Sequence, residues 1–276
     1  LRRTSTLTGS SGWITPQIAE RSRVASSFTH VKGALIDETY AVLSVWDFSV
    51  PKKVNLDRLR ETNFIGAKSQ TWLRDVAKVL NRRFDVEGPD RPLAVLARGG
   101  CSLDEWRPIL LWHMTRDEFL LRDFLQNWLF PAYEAGTYRI RPEELYEHLR
   151  TVGSRGGTTE HEWSEATLNR VAVGLLKTAV DFGLLRGANI KEFASYHLPE
   201  RSFLYLLHAL RDSGTSPGRM TSAHDWRMFM LRPDDVEREL LRLHQFKKLG
   251  YEVAGSLVAL TLPSATSLEY AEAMVA

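Results

Sequence analysis

A chain of 276 residues, 43% hydrophobic and 25% charged, has the composition of an ordinary soluble protein and enough apolar content for one large core or two modest ones. Its one cysteine, Cys101, excludes an internal disulfide and a cysteine-based metal cluster, as expected of a reducing cytoplasm. The most apolar stretch, residues 110–130, is broken by Arg116, Asp117, Glu118, Arg122 and Asp123, well short of the roughly 20 apolar residues that span a bilayer. The opening LRRTSTLTGSSGW lacks the apolar core of a signal peptide, so the expectation is a cytoplasmic protein with no membrane partner.

Net charge is only +2, but it is unevenly spread. Residues 1–100 hold 16 Lys/Arg against 10 Asp/Glu, whereas residues 101–276 hold 20 against 24. That asymmetry points to an anionic partner for the N-terminal part.

In chain order, Thr15-Pro16 is an N-cap and first-turn pair that predicts a helix to about Ser27. A second helix is predicted from Val31 to Val45 and a short third from Leu56 to Glu61, before a tight turn at Asn63-Phe64-Ile65-Gly66. Ser69 then caps an amphipathic helix reaching Phe84. At about 100° per residue, Gln70, Thr71, Arg74, Asp75, Lys78, Asn81 and Arg82 fall on one arc, and Trp72, Leu73, Val76, Ala77, Val79, Leu80 and Phe84 on the other. Arg83 projects onto the apolar side, so the last turn must bend, end early or let that side chain snorkel outward. A short helix, a glycine-containing turn and an amphipathic helix with polar residues at its start outline a helix-turn-helix. The bland reading of the same pattern is a surface helix with three basic residues on its wet face. Glu87-Gly88-Pro89-Asp90-Arg91-Pro92 ends this region, and a first, basic helical domain is assigned to residues 1–98.

The rest, 99–276, reads as a helical domain with winged-helix-like elements. Leu103–Met114 and Arg116–Phe130 are predicted helices whose Trp106, Trp112 and Trp128 serve as core anchors. Pro142–Arg150 is a further short helix, and Gly153–Thr158 a mobile loop. Ser164 caps a helix to Phe182 with Gly183 as its left-handed stop, and strands at 184–186 and 192–198 follow. Pro233 opens a helix that Gly250 ends, and strands 251–254 and 257–262 flank Gly255-Ser256. Helix followed by hairpin, twice, is the plan of a winged helix; alternatively the second hairpin ties the domain shut. The Ser164 helix carries a wet stripe of Thr167, Arg170, Gly174, Lys177 and Asp181, where Gly174 either lets a phosphate backbone approach or makes room for a neighbouring helix.

No catalytic constellation emerges. The Gly153–Thr158 loop has glycines but no Lys-Ser/Thr for a nucleotide phosphate and its magnesium. His161-Glu162 has no second histidine one turn on, so the zincin helix is missing. Pro89-Asp90 and Pro233-Asp234 match the opening of a nuclease metal site, but neither leads into Asp/Glu-x-Lys on a strand. Asp234, Asp235, Glu237 and Glu239 sit at a helix start, where carboxylates complement the dipole. Cys101, after two glycines, is a candidate thiol without an assignable histidine, and His113 and His208 fall in apolar helices as packed residues. The expectation is a non-enzyme that needs no cofactor and no metal.

Four stretches in serial order carry a family resemblance: LTGSSGWITPQIAERSRVASSF, IGAKSQTWLRDVAKVLNRRF, LLWHMTRDEFLLRDFLQNWLFPAYEAG and WSEATLNRVAVGLLKTAVDFGLL. The closing part, FLYLLHALRDSG through WRMFMLRPDDVERELLRLHQFKKLGYEVAGSLVAL to SLEYAEAMVA, is similar as well. With these the chain resembles the BrxA family, the small component of bacteriophage-exclusion (BREX) defence systems. The resemblance implies a mainly helical protein with helix-turn-helix-like parts that binds double-stranded DNA beside a methyltransferase, an ATPase and a phosphatase-like protein. It supplies no site residues. Those come from the helical projection: Lys68, Arg74, Lys78 and Arg82 for phosphates, Ser69 at the cap, Gln70 and Thr71 for base edges, with Arg170 and Lys177 extending the surface. Weak sequence preference and strong salt dependence follow. The competing expectations are a protein-interaction scaffold of the defence complex and an RNA-binding helical protein.

Overall fold

The sequence periodicities resolve into a mainly helical fold with two small antiparallel hairpins, in a computed structural model that describes residues 21–26, 32–159 and 162–276. Of the predicted first helix, residues 15–20 and Ser27 lie outside the described residues. Arg21–Ser26 is not helical: Val24 makes a parallel bridge to Thr158, so backbone pairing to a distant segment overrides the local helical pattern.

Helices α1 (Ile36–Ser44), α2 (Lys52–Thr62) and α3 (Gln70–Arg83) build the N-terminal part. Asn63 closes α2 in the left-handed region at φ 46°, and its side-chain amide both donates to Ala67 O (2.9 Å) and accepts from Ala67 N (2.7 Å). That pair of bonds fixes the turn, after which Ser69 Oγ accepts from Trp72 N at 3.1 Å and starts α3. α3 buries Leu73, Val76, Ala77, Val79 and Leu80 on the predicted side. Arg83 corrects the expectation for the last turn. It neither snorkels nor bends the helix but is buried against Glu118 (3.0 Å), and it donates to the carbonyls of Ala34 (3.0 Å) and Gly33 (2.9 Å). A fully hydrogen-bonded buried pair of this kind leaves several kcal/mol at stake if one partner is removed.

Helix α4 (Arg91–Arg98), to which the sequence pattern assigned no element, packs against α1, α5 (Leu103–Asp117) and α12 (Ser267–Val275). Neighbours on several sides bury Leu93, Ala94, Leu96 and Ala97, and contacts thereby cross position 98 into the remainder of the chain. At Gly99 a Cβ would come within 3.0 Å of the Val275 side chain, so the close approach of α12 requires glycine there.

The predicted helix 116–130 is subdivided. Glu118, with ψ 84°, separates α5 from α6 (Phe119–Phe124), and the chain then widens into a π turn (Leu125–Leu129) before α7 (Phe130–Glu134). Phe130 N–H reaches back five residues to Leu125 O, immediately before Pro131, which has no N–H to continue the ladder. A 3-10 turn (Pro142–Leu145) and α8 (Tyr146–Arg150) fill the predicted 142–150 helix. The expected mobile loop is instead a tethered 3-10 turn, Val152–Arg155, whose Arg155 guanidinium holds Asp123 at 2.9–3.0 Å. Burial alone would raise the Asp123 carboxyl, but His148, Arg155 and Asn127 outweigh that and hold it at about 2.

α9 (Glu165–Asp181) is capped by Ser164 and stopped by Gly183 at φ 75°, as predicted, and β1 (Leu185–Arg186) pairs with β2 (Glu192–Phe193). α10 (Glu200–Asp212) then packs on α5 and α12. α11 (Pro233–Gln245) ends before Gly250, with Lys247 in the left-handed region at φ 56°, and Gly250 instead opens β3 (Gly250–Ala254), paired over five positions with β4 (Leu257–Thr261). Trp106 (0% exposed) and Trp112 (4%) are core anchors, and half-buried Trp128 stacks on Phe124. His113 links the start of α4 to α10 from inside: its Nδ1–H donates to Asp90 at 2.6 Å, and Tyr205 donates to Nε2 at 2.7 Å. Burial lowers the His113 pKa, which fits this neutral tautomer.

Candidate nucleic-acid interface

The start of α3 stands in solvent. Lys68, Ser69, Gln70 and Thr71 are all exposed, as are Arg74 and Lys78 on the next two turns. Arg74 donates to Thr71 Oγ1 at 3.3 Å, along its own helix. Asp75 shares this face and would repel a polyanion, but Lys32 sits 2.6 Å from its carboxylate. The face therefore presents cations with its one acid neutralised. Arg82 is different: it lies 2.7 Å from Ser26 Oγ and 3.4 Å from Asp117, half-buried, and ties α3 to the extended segment and to the end of α5. Its charge is committed inside the protein, which confines the exposed stripe to the first three turns.

Lys177 is brought to α3, Arg170 less so. A crevice of about 290 Å³ is lined by Trp72 of α3, by Lys177 and Asp181 of α9, and by Lys32 and Arg107. A Cβ placed on Gly33 would lie 3.5 Å from Lys177 Nζ, which fixes how near α9 comes to the segment before α1. Lys177 pairs with Asp181 at 3.1 Å in a solvent-exposed contact worth less than about 1 kcal/mol, readily exchanged for a phosphate. Arg170 is exposed but turned back on its own helix, on Ala166 O (3.2 Å) and Thr167 Oγ1 (3.3 Å). Gly174 is buried, so of its two readings the packing one holds.

Cations that the helical projection passed over stand beyond Lys177. Arg139 and Arg141 are both exposed and flank the fully buried Ile140. Ile140 pairs with Lys191 through two backbone hydrogen bonds of 2.9 Å, adding a short third segment beside β2. The readable signal was the Arg-Ile-Arg alternation, which puts two cations on the outer face of any extended backbone whose middle residue is buried.

The second hairpin is chemically unlike this surface. Between Gly250 and Thr261 its one charged side chain is Glu252, while Val253 and Leu257 stand exposed near its tip and Phe246 is exposed at the end of α11. The candidate thiol is also placed: Cys101 is 5% exposed, and burial together with Glu105 pushes it up to about 11, which leaves almost no thiolate at neutral pH. Asp235, at the start of α11, accepts from Arg232 N at 3.0 Å, a helix-start role. No helix among the described residues is long and apolar enough to cross a membrane.

No curated protein matches the chain. A sequence model of the BrxA family matches residues 25–209, about two thirds of the chain, a span that contains α1 to α9, the first hairpin and most of α10. The chain belongs to the BrxA family, and its role is accordingly BREX-related.

Proposed function

We propose that this protein is a non-catalytic, cytoplasmic component of a BREX system that binds double-stranded DNA and works beside the other defence proteins. The observation that carries the reading is the exposed, cation-bearing first half of α3, which follows α2 and the Asn63 turn. Lys68, Arg74 and Lys78 meet phosphates, and Gln70 and Thr71 at the open helix start face base edges. Lys177 continues the contact from α9. Since charge dominates, affinity falls steeply with salt and sequence preference is weak.

Titration of a duplex at several salt concentrations tests this. Arg74→Glu with Lys78→Glu weakens binding to every sequence and flattens the salt slope by roughly two contacts' worth. Unchanged affinity removes α3 from the interface, and no duplex binding by the wild type removes the reading. A structured RNA run as competitor separates the two polyanions, because A-form RNA closes its deep groove to side chains.

The scaffold reading has its own supporting observation: exposed Leu241, Phe246, Val253 and Leu257 lie close together in sequence, beyond the span that the family model matches. Pull-down of defence proteins that survives nuclease treatment, with no duplex binding by the isolated chain, selects that reading instead.

A further inference from the structure

A second group of cations borders α9 in a hollow that no residue of α3 lines. The crevice shared with α3 is electrostatically mixed, its cations Lys32, Arg107 and Lys177 facing Asp37, Glu38 and Asp181. Across Lys177 lies a second, open hollow of about 720 Å³ between α9, the 3-10 turn at Pro142 and the loop of the first hairpin. Arg141, Lys177 and Lys191 line it against one carboxylate, Glu143, and Val173, Leu176 and Ile190 supply an apolar wall. A concave surface with one sign of charge and a low-dielectric wall concentrates the field on an anion more than the same charges on a flat face.

We propose that this hollow is a second seat for the DNA phosphate backbone, with Lys177 as the cation common to both sides of α9. The proposal rests on the DNA-binding reading above and extends it to residues that the α3 pattern does not reach. Its geometry is built in. Ile140 is fully buried and bonded to Lys191 by two backbone hydrogen bonds, so Arg141 is carried on a fixed segment. Lys191 Nζ donates to Gly187 O at 2.8 Å and also contacts Ala188 O, which places the ammonium at the rim of the hollow. Two of its three protons are thereby accounted for, and the third is available to a phosphate oxygen. Gly187, at φ 104°, makes the turn possible: a Cβ there would fall within 3.0 Å of Ile190 O. The seat thus consists of one guanidinium and two ammonium groups on three tethered elements, suited to a diester backbone passing over α9 from the α3 face.

The test uses the full chain and a duplex of about 25 base pairs, titrated at several salt concentrations. Arg141→Glu, and separately Arg141→Glu with Lys191→Glu, are compared with wild type and with the charge-conserving Arg141→Lys. The double reversal lowers affinity on the order of ten-fold and reduces the salt slope by roughly two, while Arg141→Lys stays near wild type. Because Lys191 also braces the loop, thermal melting accompanies each variant. The single Arg141→Glu, whose side chain stands in solvent, keeps the test open if the double variant melts early. Wild-type affinity and slope in both reversals overturn the second seat. If they coexist with loss of binding in Arg74→Glu/Lys78→Glu, the α3 reading survives alone; if the wild type binds no duplex, both fall.

Discussion

The two helix–hairpin units follow one plan and offer opposite surfaces. After α9 the hairpin has strands of only two residues, steadied by the Ile140–Lys191 bridge, and is surrounded by Arg139, Arg141, Arg186, Lys177 and Lys191. After α11 the hairpin is longer, with five pairs across a Gly255-Ser256 turn, and carries one charge, Glu252, with Leu257 74% exposed. Had topology decided the ligand, the longer hairpin would be the better arm for a duplex. Charge says otherwise: a phosphate backbone needs counterions, and the second hairpin has none. Shared architecture does not bring shared surface chemistry here, and it is the surface, not the fold, that decides what can be bound.

That contrast can be broken most severely by charge. Combining Arg74→Glu, Lys78→Glu and Arg141→Glu should cost on the order of a hundred-fold in duplex affinity at low salt. Ser256→Glu at the exposed tip of the second hairpin should stay within about two-fold, and an equal loss there would erase the distinction. Next comes the turn chemistry. Gly187→Ala, clashing with Ile190 O, should destabilise by about 2–3 kcal/mol, read from chemical denaturation, whereas a Cβ at Gly255 meets nothing within 4 Å and Gly255→Ala should cost only about 1 kcal/mol for its φ of 61°.

Acid sharpens the comparison further, since the segment leading into α9 depends on a carboxylate. Asp123 is held below its ordinary value, so its contribution is complete above pH ~4 and disappears as pH falls towards 2, worth about 2 kcal/mol. Asp123→Asn should lower stability at pH 7 and remove that part of the acid dependence in a pH series of denaturant melts. The smallest effect belongs to the exposed second hairpin: Leu257→Ser should change stability by less than about 0.5 kcal/mol and leave duplex affinity untouched.

Legibility in the sequence tracked how plainly a helix is punctuated at its ends. α3 is covered on one side, so its wet and dry arcs, its Ser69 cap and its limits were readable almost to the residue. α9 was equally plain, from Ser164 to Gly183. α4 and α10 have no side-chain cap: α4, only eight residues long, was assigned no element, and α10 was read only as an apolar helix around His208, without limits. Arg83 looked like an error in an otherwise consistent stripe because its partners, Glu118 and the Gly33 and Ala34 carbonyls, lie 35 to 50 residues away in sequence. Arg82, read as a phosphate contact, is held by Ser26 and Asp117 for the same reason. The wet stripe of α3 was visible, but the hollow beyond Lys177 was not. A hollow belongs to three segments at once, and periodicity describes one segment at a time.

The contact at Gly99 has a kinetic side. α4 lies beside α1, yet one of its flanks is covered by α12, about 170 residues later in the chain. Closing so long a loop delays the final burial of α4 until α12 has been made and docked, which raises the contact order of the very region whose surface helix looks most local. During synthesis, α3 can form its caps and its amphipathic face early, while its neighbour α4 waits, partly uncovered, for the far end of the fold. Gly99→Ala should therefore show itself first as slower refolding, in stopped-flow tryptophan fluorescence.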